Sequence, residues 1–518
     1  MIQGWPRWLV AVISWLAARW PWLARLINRA AINATVNKAR HRPHIHSTVH
    51  DYVSWTSMTD RSWSARHLPA VPSRTDPAPE ALAPLFARRG GQILSDKSTC
   101  LFPAFAQYLT DGFIRTRMPE DGEPDHVRRR NTSNHEIDLC PLYGRTAEQT
   151  LALRTREETP GRKGRLASQH IGTEEFPPFL CDAAGAVKAD FAALDPPLGF
   201  DKIKDPERRA AIFAVGGDRV NSAPQVSAMN TLFLREHNRL AGRIERDHPD
   251  WDDERVFQVA RNVVIVCFIK IVVEDYINHI TPAPFRLMAD PSVAWKAPWN
   301  KPNWITAEFS LLYRWHALIP DAMRWGERDV PVGQTFMNNT LLIETGLAGA
   351  LTGLSAQKAG KLGAFNTAAA LAHVEQASIR QDRDARMAPY ADYRAYVKMA
   401  RPKSFKQVSK NKDVRAFLAS VYASPAEIDF FVGLFCEDLE PNSPLPPLIL
   451  RLVAIDAFSQ ALTNPLLSEH AFKPETFSAV GWETIQTTTC LRDVAARNCD
   501  LSEETFVGMT QPSWRYRW

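Results

Sequence analysis

The run Ala307-Glu-Phe-Ser-Leu-Leu-Tyr-Arg-Trp-His-Ala-Leu-Ile-Pro-Asp321 decides how the rest of the chain is read. Its apolar spacing predicts a helix over Trp304–Leu318, ended by Pro320, which cannot donate to the helix ladder. Two residues in it carry chemistry: His316, a candidate metal ligand, and Tyr313, three positions earlier. On a helix, residues three apart share a face, so anything bound to the imidazole would have a phenol beside it. Taken alone, the run is equally that of an amphipathic helix with an ordinary His and Tyr. The remainder of the chain has to decide.

The chain has 518 residues, 45% hydrophobic and 23% charged, a composition that can bury a large core. With 62 Lys and Arg against 57 Asp and Glu, the net charge is only +5, which gives no nucleic-acid signature and implies no nucleic-acid partner. The seven Cys are dispersed, without CxxC or zinc spacing, and read mostly as buried thiols. Cys490 and Cys499 alone are close enough in sequence to suggest a pair.

Of 16 Trp, five (Trp5, Trp8, Trp15, Trp20 and Trp22) fall in the first 22 residues. The uncharged run Trp8–Ala18 is too short to span a bilayer, and Arg7, Arg19, Arg25 and Arg29 interrupt the apolar surface. Residues 1–42 therefore read as short amphipathic helices broken at Pro21 and lying in one leaflet, followed by a catalytic domain over 43–518. A signal peptide, or helices packed on the protein's own core, would use the same residues.

Beyond them, His44 and His46 sit in a polar, Pro-marked stretch and read as a solvated loop, and residues 69–84 as a Pro-rich surface crossover. From residue 85 helical patterns dominate. They include Ser98–Arg115, Ala228–Asp247, the Val- and Ile-rich and therefore buried Asp252–His279, Leu341–Gly353, Asn366–Asp382, Ala426–Phe435 and Leu448–Leu462. Strand patterns are scarce. The fold class is mainly α.

The segment Gly216-Gly-Asp-Arg-Val-Asn-Ser222 leads from a polar Gly-rich loop into the helix Thr231-Leu-Phe-Leu-Arg-Glu-His-Asn-Arg-Leu-Ala241. Arg219 in that loop could donate hydrogen bonds into a cavity. Glu236, His237 and Asn238 are consecutive on a helix, point in different directions, and read as a structural polar network.

The Thr231–Ala241 run resembles the signature helix of the animal-type haem peroxidases and cyclooxygenases, and Tyr313-Arg-Trp-His316 resembles the proximal segment of the same superfamily. The Tyr-Arg-x-His form is closer to fatty-acid dioxygenases and bacterial cyclooxygenase-like proteins than to the Tyr-His-Trp-His of cyclooxygenases. Other runs agree in the same order: Tyr52-Val-Ser-Trp55, Leu68-Pro-Ala-Val-Pro72, Phe105-Ala-Gln107, Leu142-Tyr-Gly144, Ile271-Val-Val-Glu-Asp-Tyr276 and Phe472-Lys-Pro-Glu-Thr-Phe477.

The resemblance implies a large multi-helix haem peroxidase (cyclooxygenase-like) catalytic domain preceded by short membrane-binding helices. It implies that His316 is the proximal haem ligand and that Tyr313 becomes a radical and takes a hydrogen atom from a fatty-acid chain. Gln107 and Arg219 would be the distal glutamine and arginine, and Ser459 would lie near the substrate channel. Asp111 stands four residues after Gln107, where the family has its distal, proton-moving histidine. Ser222 and Thr110 replace the acids that esterify haem in mammalian peroxidases, which implies non-covalent haem b. Gly112 replaces a calcium-ligating aspartate, which implies no calcium.

The expected activity is oxygenation of an unsaturated fatty acid by molecular oxygen, started by peroxide, in a peripheral, monotopic membrane protein and candidate homodimer. Lys38, Arg40 and Arg42 lie near the region expected to hold the lipid carboxylate. Two alternatives stand beside it: a haem peroxidase acting on small reductants, and a degenerate haem- or lipid-binding protein in which Asp111 has ended catalysis.

Overall fold

The computed structural model describes residues 6–36, 45–117, 122–123 and 129–517. Trp5, Lys38, Arg40, Arg42 and His44 lie outside these described residues.

Two N-terminal helices, α1 (Arg7–Arg19) and α2 (Pro21–Val36), pack on each other, and α2 also packs on a late helix of the body. Their buried residues are few (Val10, Asn28, Ile32, Val36), while Trp8 is 68%, Trp15 64% and Trp22 61% exposed. The body is built on α3 (Leu101–Asp111), α4 (Pro224–Asp247) and α5 (Asp253–Ile271). Pro224 starts α4 at a position where its missing N–H costs nothing, and the Asp252 side chain caps α5 by accepting from Arg255 N at 2.8 Å. The helical stretch Asp253–Ile280, which α5 begins, is long and apolar enough to cross a membrane, yet its apolar window is mostly buried and α5 packs on α4 and α9 (Pro474–Thr487), so α5 is the core helix its all-round Val and Ile predict. It continues into a π-helical turn, Val272–Ile277, which carries Tyr276.

Around this core lie α6 (Ala307–Leu312), α7 (Ala372–Asp384) and α8 (Pro447–Leu462). Among the described residues the strands form four two-stranded antiparallel sheets: β1 (His46–Ser47) with β2 (Ala65–Arg66), β3 (Leu94–Thr99) with β8 (Lys358–Gly360), β4 (Gln169–Ile171) with β5 (Glu174–Phe176), and β6 (Ala322–Trp325) with β7 (Arg328–Pro331). The fold is mainly helical, as expected.

Several expectations are corrected. Helix α6 does not run to Leu318. It ends at Leu312, where the Trp315 indole donates to the Leu312 carbonyl at 2.6 Å, and His316 opens a separate 3₁₀ turn, His316–Leu318. The single helix expected over Leu341–Gly353 is two, Thr340–Thr345 and Leu347–Ala356, separated by Gly346 at φ 73°. His46 lies in β1 opposite Arg66 and is half-buried rather than a solvated loop residue. Cys490 and Cys499 are free thiols, like the other five Cys.

The 3₁₀ turn is braced by β8. A Cβ placed on Gly360 would lie 2.1 Å from the Ala317 carbonyl oxygen, so only glycine allows the strand this close. Gly360→Ala is expected to push the 316–318 turn away at a cost of ~1–3 kcal/mol, seen as a lower denaturant midpoint with an unchanged slope.

Candidate active site

The 3₁₀ turn sets His316 against α7. His316 Nδ1 lies 3.2 Å from Glu375 Oε1, within ion-pair range though not aligned as a hydrogen bond. Glu375 is itself fixed by Thr367, whose hydroxyl donates to Oε1 at 2.8 Å. The carboxylate holds the Nδ1 side of the ring, so Nε2 is the nitrogen available to a metal. A carboxylate behind a ligating imidazole orients the ring and strengthens it as a donor. Glu375 was not singled out in the sequence, because it stands 59 positions beyond His316 with no motif to join them.

Tyr313 caps the C-terminal end of α6 (φ −93°, ψ 18°), so it and His316 do not share one helix face. The chain turns between them. The Tyr313 ring stacks on Trp315, with centroids 4.6 Å apart, and tilts against Phe309 at 4.9 Å. Its hydroxyl is buried, and burial raises the phenol's pKa, with Tyr276 and the Asp456 carboxylate on α8 as its electrostatic neighbours. Tyr276, on the π-helical turn, is likewise pushed up by burial and by Tyr313. Both phenols therefore stay neutral at any physiological pH.

On the other side, α3 presents Gln107 and Asp111 one turn apart. Gln107 Nε2 donates to Ser222 Oγ at 3.0 Å, which ties α3 to the short 3₁₀ turn Val220–Ser222 that follows Arg219. The loop before it is pressed onto residues 140–144. A Cβ on Gly216 would meet the Gly144 nitrogen at 2.2 Å, so glycine at 216 is a packing requirement. Arg219's charge reaches both Asp111 and Arg314. Thr110 turns its hydroxyl back to the Ala106 and Gln107 carbonyls.

Asp111 is buried, and desolvation pushes its pKa to about 7; Asp218 adds to the rise, while Arg219, Arg115 and Arg314 oppose it. Arg314, between the two chemistry-bearing residues of the opening run, also interacts electrostatically with these groups, while its guanidinium donates to Gln381 Oε1 at 3.1 Å. Burial and the Arg219 charge bring it down to about 10, while Asp111 and Glu375 support its charge. Asp111, Arg219, Arg314 and Glu375 thus form one electrostatic set running from Gln107 to His316.

Glu236, His237 and Asn238 are the expected structural network. Glu236 is bonded by Arg239, Arg497 and Asn498, His237 by the Tyr143 hydroxyl and the Gly164 carbonyl, and Asn238 by Leu166 and Glu175. Burial brings His237 to about 3, so it stays neutral.

A cavity of about 540 Å³ lies between α1, α2, the π-helical turn and α8. Its wall is mostly apolar and includes Ile32, Ile277, Ala457 and Phe458. Two of its wall residues, Ile277 and Ala457, are the chain neighbours of Tyr276 and Asp456, the residues that act on the Tyr313 phenol. Ser459 is on the same helix but fully buried, its hydroxyl donating to the Asp456 carbonyl at 2.9 Å; the cavity wall there is formed by Val453, Ala454, Ala457 and Phe458.

A helical body of this kind, with an imidazole backed by a carboxylate and a buried set of Asp111, Arg219 and Arg314, is a scaffold suited to a haem oxidoreductase. The animal haem peroxidase family model matches residues 24–508, and the chain belongs to that family and is an oxidoreductase. It is 29% identical to prostaglandin G/H synthase 1 of Mus musculus over 459 residues, 86% of this chain and 72% of that protein. It is 30% identical to prostaglandin G/H synthase 2 of Gallus gallus over 462 residues, again 86% and 72%. Among solved structures it superposes on peroxidase A of Dictyostelium discoideum (TM-score 0.72, 19% identity, 90% of this chain and 99% of that one). It also superposes on the fatty acid alpha-dioxygenase of Oryza sativa (TM-score 0.68, 19% identity, 84% and 80%). The family implies haem. The residues fit it: the candidate donor is an imidazole with a carboxylate behind it, and the buried Asp111 Oδ2 and Arg314 Nε have no hydrogen-bond partner inside the protein.

The elevated Asp111 pKa makes a stability prediction. Its folded-state value of about 7 lies above the ordinary 3.8, so the folded protein binds this proton more tightly than the unfolded chain. The wild type is favoured below the unfolded value, and that advantage is lost as pH rises through about 7. Asp111→Asn, neutral throughout, is expected to gain on the wild type between acid and mildly alkaline pH by up to ~4 kcal/mol, measured by urea unfolding at each end of that range.

Proposed function

We propose that this protein is a haem-dependent dioxygenase that oxygenates unsaturated fatty acids at a membrane surface. The observation that carries the reading is the position of Tyr313. Its phenol stands one chain turn from the His316 imidazole, among residues whose neighbours wall a lipid-sized apolar cavity.

His316, backed by Glu375, would hold the iron through Nε2, and haem, when bound, supplies peroxide-driven one-electron oxidation. Ser222 and Thr110 have no carboxyl to esterify it, so it would be non-covalent haem b, and Gly112 brings no side-chain oxygen for calcium. Asp111 takes the part of the missing distal histidine. With a pKa of about 7 it is present in both protonation states near neutral pH and can accept and return a proton at its carboxylate. Arg219 donates to the oxygen substrate, and Gln107 is held in place by Ser222. Tyr313 gives up an electron, and its proton leaves to solvent by way of the neighbouring Tyr276 hydroxyl. The resulting phenoxyl takes a hydrogen atom from the acyl chain, molecular oxygen adds to the carbon radical, and return of a hydrogen atom gives the hydroperoxide. Phe458 and Ala457, rather than Ser459, would touch the chain. The exposed Trp8, Trp15, Trp20 and Trp22 are the residues that would settle among lipid headgroups, above the cavity mouth.

Oxygen uptake by haem-loaded protein over a panel of fatty acids tests this. Tyr313→Phe should reduce uptake to background with the Soret band retained, and His316→Ala should lose the Soret band. Undiminished uptake in Tyr313→Phe sinks the radical role. Asp111→Asn, which cannot ionise, should slow the reaction with peroxide by ~10²–10⁴-fold, followed by stopped-flow absorbance.

A further inference from the structure

The cavity has two phenols on its wall: Tyr516, whose hydroxyl donates to the Pro282 carbonyl at 3.0 Å, and Tyr396, whose hydroxyl lies 3.1 Å from His67 Nδ1, the two rings being 5.3 Å apart. On the other side of the imidazole, Nε2 is 3.0 Å from Asp456 Oδ2, and the His67 and Asp456 side chains are each 1% exposed. A neutral imidazole satisfies both contacts in one tautomer: Nε2–H donates to the carboxylate and Nδ1 accepts the phenol O–H. The arrangement is clamped from behind, because Glu308 Oε1 accepts both the His67 backbone N–H at 2.9 Å and the Tyr393 hydroxyl at 2.7 Å. Asp456, which ends this row, is also the carboxylate whose charge acts on the Tyr313 phenol. The Tyr396–His67–Asp456 row therefore begins at the cavity and ends at a carboxylate whose charge is felt by Tyr313.

A buried phenol resists oxidation because its radical cation would have to keep a positive charge in a low-dielectric wall. A hydrogen-bonded base removes that obstacle by taking the proton as the electron leaves, and a carboxylate behind the base stabilises the imidazolium so formed. Tyr313 lacks such a base, whereas Tyr396 has one in place.

We propose that Tyr396 is a second redox-active tyrosine, which re-reduces oxidised Tyr313 and hands its own phenolic proton to His67. The Tyr396 O–H bond breaks. Its electron goes to the Tyr313 phenoxyl, which takes up a proton from solvent to return to the phenol, and the Tyr396 proton rests on His67 Nδ1, paired with Asp456. Tyr396 then holds the oxidising equivalent at the cavity wall until a hydrogen donor in the cavity reduces it and the proton on His67 is released. A site of this kind protects the Tyr313 region when no lipid is bound. The inference rests on Tyr313 as the primary radical site.

Haem-loaded full-length protein, mixed with hydrogen peroxide without lipid and rapidly frozen, is read by electron paramagnetic resonance. The wild type should show two overlapping tyrosyl signals. Tyr396→Phe, which keeps the ring and removes only the O–H, should leave one signal with a lifetime several-fold shorter. His67→Gln keeps the phenol and a hydrogen-bonding partner but removes the base, and should give the same single signal; a merely structural row would not move it. Spectra and decays of both variants that superimpose on the wild type overturn the inference, as does a wild type without a tyrosyl signal. Oxygen uptake separates the two readings. Loss of uptake in Tyr313→Phe together with an unchanged Tyr396→Phe spectrum sinks only the role of Tyr396, and retained uptake in Tyr313→Phe sinks the role of Tyr313.

Discussion

The interruption of α6 after Leu312 is the constraint on which the site depends. A continuous helix would have placed Tyr313 and His316 on one face, looking in one direction. Instead the Trp315 indole satisfies the Leu312 carbonyl, the chain turns, and the 3₁₀ turn is pressed between Glu375 and the glycine strand edge at Gly360. Four residues thereby serve two compartments. His316 faces α7 and the polar set, while Tyr313 faces the π-helical turn and α8. An orphan backbone carbonyl at a helix end has to be satisfied, and here the side chain that does so also stacks on the phenol it helps to aim.

Charge is handled differently in the two compartments. Around Gln107 the buried ionisable groups are several and mutually compensating: Asp111 against Arg219 and Arg314, and Asp218 against Arg115 at 2.6 Å. Such a set can keep one carboxyl near neutrality without leaving an isolated buried charge, which would cost far more. Around Tyr313 the groups are phenols that stay neutral, with a single carboxylate, Asp456, already engaged by His67. Proton traffic suits the first compartment and hydrogen-atom chemistry the second.

The family was legible because its two signature runs are local. Tyr313–His316 and Thr231–Ala241 need only short stretches to be recognised, and the helical class followed from apolar periodicity over segments such as 252–279. Boundaries were less legible wherever a side chain or a glycine overrode the pattern, as at Leu312 and at Gly346. Residues joined across the fold carried no signal at all. Glu375 and the row from Tyr396 to Asp456 are ordinary residues in sequence and acquire meaning only from what stands opposite them.

By itself the sequence determined the helical class, the buried core helix, the candidate haem ligand, the substitution of Asp111 for a histidine and the Trp-rich amphipathic start, since each depends on residue type and short-range spacing. Tertiary structure alone decided which groups share a pocket, that burial brings Asp111 to about 7, and that His67 joins Tyr396 to Asp456. The physical reason is that desolvation and hydrogen bonding act between atoms a few ångströms apart, and residues 67, 396 and 456 become neighbours only after α8 has packed against the rest of the fold.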